Sequence, residues 1–183
     1  MAETVGKVYS TALFELCCEQ DSLEAVYSEF TELMELLTGS EEGREYLKFL
    51  ASPLISSADK TAGLNSIFGS RTDGILLDFI CLVTEKNRAN RLEEIYCEFR
   101  KMYNDHKNLL EVTAITTEPL KEELKKRLIE KLHKSTGREI VLTEKVDKSL
   151  IGGMIVRYGN TEIDSSVKAR LEELKAKIAN TIA

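Results

Sequence analysis

The stretch VDKSLIGGMIVRYGNTEIDSSVKARLEELKAKI, from Val146 to Ile178, decides how this chain is read. Leu150-Ile151 precedes the paired glycines Gly152-Gly153, and the β-branched run Met154-Ile155-Val156 follows them. Tyr158-Gly159-Asn160 has the composition of a turn, and Glu162-Ile163-Asp164 reads as a short strand. Ser165-Ser166 supplies hydroxyls where a helix would start, and Val167, Leu171, Leu174 and Ile178 then fall on one helical face. A glycine pair between apolar segments marks backbone that needs positive φ or a close approach to another element.

The same grammar continues upstream. Leu110, Val112 and Ala114 alternate with Glu111 and Thr113, the period of a strand. Pro119 introduces a helix with Leu124, Leu128 and Leu132 on one stripe, acids in its first turn, bases in its last, and Gly137 after it. Ile140-Val141-Leu142 is a second strand. These features predict a small α+β domain over residues 109–183. The polar stretch Asn104 to Asn108 has no apolar anchor and is the best boundary, leaving residues 1–105 as a separate domain. There the apolar period is helical: Val5, Tyr9, Ala12, Leu13 and Leu16, then Leu23, Val26, Phe30, Leu33 and Leu37. Ser40 and the Ser56/Asp59 pair are placed to cap the next two helices. Asn87-Arg88 breaks the chain before a last helix with Leu92, Ile95, Tyr96, Phe99 and Tyr103. The expected fold is mostly α, an N-terminal six-helix bundle followed by the small α+β domain.

One helix is richer in apolar residues than a bundle requires. Ile75 to Val83 reads ILLDFICLV, apolar almost all round. Either it lies in the middle of the bundle, or it offers a second apolar face to an amphipathic helix of another protein. Both readings stand at this point.

Composition narrows the function. The 183 residues are 43% hydrophobic and 31% charged, ordinary for a globular protein, with a net charge of −6. Residues 1–48 hold eleven acids against three bases, whereas residues 107–183 hold fifteen bases against twelve acids. An acidic front repels phosphates, and the basic excess behind it is no nucleic-acid stripe. No leader-like basic and apolar opening and no apolar run of about 18 residues is present, so a cytoplasmic location is expected. The four cysteines, Cys17, Cys18, Cys81 and Cys97, have no CxxC spacing and no neighbouring histidine, so they read as small apolar residues on helix faces. There is no GxGxxG or P-loop pattern, and only His106 and His133 could serve a triad or a metal. Catalytic, cofactor and metal sites are expected to be absent. A helical RNA-binding or antitermination-type factor and a small acidic enzyme are the rival classes; the acidic front and the α+β domain count against the first, and the second lacks a site.

The order of features from Val146 to Leu171 closely resembles the C-terminal signature of the delta subunit of F-type ATP synthases, the family of the mitochondrial oligomycin-sensitivity-conferring protein. LLDFICLVTEKNRANRLEEIYCEFRKMY is similar to that family's fifth and sixth helices, and the opening helix with Tyr9, Ala12, Leu13 and Phe14 to its first. The span from Leu110 to Val156 fits as well, so the resemblance covers nearly the whole chain. It implies a non-catalytic stator (peripheral stalk) subunit that joins the catalytic head to the membrane-anchored b-subunit stalk, so that proton flow is coupled to ATP synthesis. The implied partners are the N-terminal helix of the alpha subunit and the C-terminal part of the b-subunit stalk, with no nucleic acid. The implied place is the cytoplasmic face of a bacterial cell membrane, peripheral and held only through the complex. Carried over, the groove for the alpha-subunit helix falls on Ala12, Leu13, Leu16, Leu76, Phe79, Ile80 and Val83. Gly152, Gly153, Asp164 and Ser166 are signature positions with an architectural role.

Overall fold

The computed structural model describes residues 5–69 and 74–182, with side chains up to residue 173 and at Lys175. In chain order the elements are α1 (Val5–Glu19), α2 (Leu23–Gly39), α3 (Glu41–Ala51), α4 (Ser57–Phe68), α5 (Gly74–Glu85) and α6 (Leu92–His106). There follow β1 (Leu109–Thr116), α7 (Glu122–Thr136), β2 (Glu139–Val146), β3 (Met154–Tyr158), β4 (Thr161–Asp164) and α8 (Val167–Ile182). The chain divides into two compact units, Met1–Tyr103 and Asn104–Ala183.

In the first unit, polar side chains set where helices begin. Ser40 accepts a hydrogen bond from the Gly43 N–H at 3.0 Å, and Ser56 accepts one from the Asp59 N–H at 3.2 Å. Each satisfies an N–H that the first helical turn leaves without a partner. The apolar stripes then converge on one core. Phe30, fully buried, packs against Phe79, Tyr96 and Phe99 with ring centroids 6.4, 5.1 and 5.9 Å away. Leu13, Leu50, Leu64, Leu76 and Leu92 surround that centre, and large side chains buried this way contribute about 1.5–3 kcal/mol each. Lys60 is also fully buried, its ammonium 3.5 Å from the side-chain amide oxygen Oδ1 of Asn87. Of the cysteines, Cys17 joins the core, whereas Cys18 and Cys97 are exposed on their helices.

The second unit is built on a four-stranded sheet of order β2-β1-β3-β4. β1 pairs with β2 in parallel and with β3 antiparallel, and β3 pairs antiparallel with β4. A parallel pair needs a crossover, which α7 supplies. Val112 and Ala114 are buried as the alternation requires, and Val112, Val156 and Leu132 form a small core with Leu110, Leu128, Ile140 and Leu142. Gly137 ends α7 in the left-handed conformation (φ 69°), its N–H donating to the His133 carbonyl at 2.8 Å. Lys125 bridges Glu144 of β2 at 2.6 Å and Glu122 at 2.8 Å. Hydrogen bonds to Glu122 and Glu144 push its ammonium up to about 12.

The polar stretch Asn104 to Asn108 opens the second unit. α6 continues through His106, and Asn108, at φ 55°, turns the chain directly into β1. Asn104 donates to Glu111 at 2.9 Å, Arg138 to Asp105 at 2.9 Å, and Asn108 to the Gly137 carbonyl at 3.1 Å. Side-chain hydrogen bonds replace the missing apolar anchor there.

Candidate functional site

An apolar groove of about 590 Å3 lies between α1 and α5 of the first unit. One wall follows the i, i+4 row Val8, Ala12, Leu16 of α1 with Gln20 in the turn after it, and the other the row Ile75, Phe79, Leu82 of α5, with Asp78 beside it. Val8, Leu16 and Leu82 are 50%, 39% and 45% exposed, which is high for large apolar side chains held beside one another. Tyr9 and Phe79 meet edge to face across the groove at 6.4 Å. Arg88 fixes the tyrosine from outside: its guanidinium sits 5.3 Å from the ring centre, and Nη1 donates to the hydroxyl at 3.0 Å.

Of the groove positions expected from the sequence, Ala12, Leu16 and Phe79 line the groove, with Leu13, 1% exposed and part of the core, at its base. Leu76, Ile80 and Val83 do not. They are 0%, 2% and 0% exposed and belong to the core. The reason is helical phase. Roughly 100° per residue puts Leu76, Ile80 and Val83 on one stripe and Ile75, Phe79 and Leu82 on another. α5 is thus a core helix whose second apolar stripe is only partly covered, Ile75 and Phe79 packing in part against the core and Leu82 45% exposed. Val8, Tyr9, Ile75 and Leu82 escaped the sequence reading. Their signal was present in the spacing Ile75, Phe79, Leu82, but nothing in the sequence says which stripe faces outward.

In the second unit the signature residues form a clip that joins β3, β4 and the start of α8. Gly153 has φ +90°, and a Cβ there would stand 2.5 Å from the Ser165 carbonyl oxygen and 2.7 Å from the Ser166 Cα. The Ser165 N–H donates to the Met154 carbonyl at 2.9 Å, and the Val167 N–H to the Gly152 carbonyl at 3.0 Å. Asp164 accepts from the Ser166 N–H at 2.8 Å, and Ser166 Oγ accepts from the Ala169 N–H at 3.2 Å. The Ser166 N–H beside it holds the Asp164 carboxyl below the usual carboxylate range. Of the expected α8 stripe, Val167 and Leu171 are 40% and 49% exposed; the side chains of Leu174 and Ile178 lie outside the described residues. A second hollow of about 560 Å3 runs between α7 and the β1 end, floored by Leu128 and Met154, with Leu124 half exposed and Lys121, Arg127 and Lys131 at its edge.

Among the described residues no three His, Cys, Asp or Glu side chains are grouped to hold a metal ion, and no helix is long and apolar enough to cross a membrane. Burial, then the nearby carboxylates Asp78 and Glu85, push the Cys81 thiol up, away from the thiolate a nucleophile needs.

Comparison with known proteins agrees along the full length. The chain is 34% identical over 168 residues to the ATP synthase subunit delta of Fusobacterium nucleatum subsp. nucleatum, covering 92% of this chain and 94% of that one. It is 33% identical over 175 residues to that of Clostridium perfringens, 96% of each, and 29% identical over 183 residues to that of Clostridioides difficile, 100% of each. In fold it is similar to a chain of the Toxoplasma gondii mitochondrial ATP synthase hexamer, with a TM-score of 0.74 at 22% identity over 97% of this chain and 98% of that one. The family described as ATP synthase delta (OSCP) subunit matches residues 5–178, and the chain belongs to that family.

Proposed function

We propose that this protein is a non-catalytic stator subunit of a bacterial F-type ATP synthase. In this reading α1–α6 act as a six-helix bundle, and the groove between α1 and α5 grips the N-terminal helix of the alpha subunit on the catalytic head. The second unit holds the C-terminal part of the b-subunit stalk, so the protein sits at the cytoplasmic face of the membrane without entering it. Held at both ends, the head cannot turn with the rotor, and proton flow is coupled to ATP synthesis.

The observation that carries the reading is the groove itself. A stripe with Val8, Leu16 and Leu82 about half exposed has area left to bury, and an amphipathic helix has the shape to bury it. For the stalk, the hollow beside Leu124 and the exposed Val167 and Leu171 are the candidate contacts.

Exposed positions allow a test that leaves the cores alone. The double variant Leu16→Glu/Leu82→Glu should keep its circular dichroism spectrum, because both side chains already meet solvent. Its affinity for isolated catalytic head should fall at least tenfold, about 1.4 kcal/mol, with stalk affinity unchanged. Leu124→Glu should do the reverse. A folded double variant that binds the head as tightly as wild type would remove the groove from the reading.

A further inference from the structure

The groove is not electrically neutral, and its charge is unevenly placed along its length. Tyr9, in the first half of α1, touches Phe79 at the middle of α5 and Arg88 beyond its end. Leu16, Gln20 and Ile75 therefore fall toward the opposite end. Asp78, next to Phe79, lines the middle of the groove directly. On α1, helical phase puts Glu15 and Glu19 along the outer edge of the Val8, Ala12, Leu16 row, and both are exposed. Among the described residues none of these three carboxylates makes an ion pair. The Tyr9 end differs. There Arg88 brings a positive charge, held on the tyrosine. Three unpaired carboxylates around half-exposed apolar side chains repel an acidic helix and favour one with bases beside its apolar stripe.

We propose that the α1–α5 groove selects a cationic amphipathic helix of about three turns, its basic side chains seated along the acidic edge formed by Glu15, Glu19 and Asp78. The length follows from the lined span Val8 to Gln20, near 18 Å at about 1.5 Å per residue. This rests on the groove being the docking site proposed above, and adds which chemistry it accepts.

The test uses the full-length chain and three synthetic helical peptides with one shared leucine stripe, flanked by lysine, glutamine or glutamate. Binding is read by fluorescence anisotropy at low and moderate salt. The lysine peptide should bind at least tenfold more tightly than the glutamine peptide at low salt, and the glutamate peptide more weakly still. The advantage should shrink as salt is raised, since exposed charges are screened within about 10 Å at 0.1 M. In Glu15→Gln/Glu19→Gln/Asp78→Asn, whose changes are all at exposed positions, the lysine and glutamine peptides should come within twofold of each other. Equal binding of these two peptides to wild type, lost in Leu16→Glu/Leu82→Glu, would overturn the charge selection and leave the groove intact. Binding of every peptide and of the head that ignores Leu16→Glu/Leu82→Glu would overturn the groove as well. Peptide binding that appears only as a self-associated chain dissociates would assign the groove to a second copy instead.

Discussion

Replacing Gly153 with alanine probes the clip that joins β3 to α8, and its effect can be worked from two separate costs. The first is conformational: at φ +90° an L side chain is strained, at about 1–3 kcal/mol. The second is steric, because the new methyl would stand 2.5 Å from the Ser165 carbonyl oxygen and 2.7 Å from the Ser166 Cα. Both obstacles are backbone atoms held by the hydrogen bonds from Ser165 to Met154 and from Val167 to Gly152, so neither can swing aside as a side chain would. The sum should reach about 3 kcal/mol or more. Gly137→Ala serves as the control. It has φ +69° but nothing within 4 Å of the added Cβ, so only the left-handed cost of about 1–2 kcal/mol applies. With no tryptophan in the chain, amide hydrogen exchange is the better assay, and it reads each unit separately. Protection of the β1 and β3 amides should drop about a hundredfold in Gly153→Ala and roughly tenfold in Gly137→Ala. Amides of the first unit should keep their rates in both. If Gly153→Ala lost no more protection than Gly137→Ala, the close approach would be relieved at no cost and the argument for the glycine would fail.

Three further outcomes follow from the same geometry. Phe30→Ala removes the ring at the centre of the aromatic cluster and should lower the stability of the first unit by about 3–5 kcal/mol, seen as an earlier helical transition by circular dichroism. Ser40→Ala deletes the hydroxyl that accepts from Gly43 and should cost about 1 kcal/mol in the same assay, with loss confined to the α3 start in exchange data. Asp164 is held below the ordinary carboxylate value of 3.8 by the Ser166 N–H, so its stabilisation is complete above that pH and disappears as the pH falls through the lower folded-state value. Protection at the start of α8 should therefore fade on acidification below about pH 4 in wild type, and Asp164→Asn should flatten that dependence.

Much of the architecture was legible because local rules and tertiary packing agree. Ser40 and Ser56 cap the helices that their positions announce, and Gly137 adopts the left-handed conformation at the end of α7. The alternation of Leu110, Val112 and Ala114 places Val112 and Ala114 inside, because a strand offers only two faces and one is covered by α7 and its neighbours. Gly152-Gly153 announced either positive φ or a close approach, and Gly153 has both. In each case the determining physics spans a few residues, which is the range over which a sequence pattern is informative.

What the chain could not disclose by itself was orientation. α5 carries two apolar stripes, Leu76, Ile80, Val83 and Ile75, Phe79, Leu82, of nearly equal hydrophobicity. Periodicity identifies both and ranks neither, and only contact with Phe30 and the rest of the core turns the first inward. The polar residues Asn104 to His106 likewise carry no local sign that α6 continues through them, since Asp105 is anchored by Arg138, 33 residues away. The strand order β2-β1-β3-β4 belongs to the same class: alternation marks each strand, but its neighbours are set by the crossover through α7 and the turn at Gly159. Sequence by itself determined which segments are helix or strand and which side chains are apolar enough to be buried. Tertiary structure decided which apolar stripe is buried and which remains on the surface, because that choice depends on what packs against the helix and not on the helix alone.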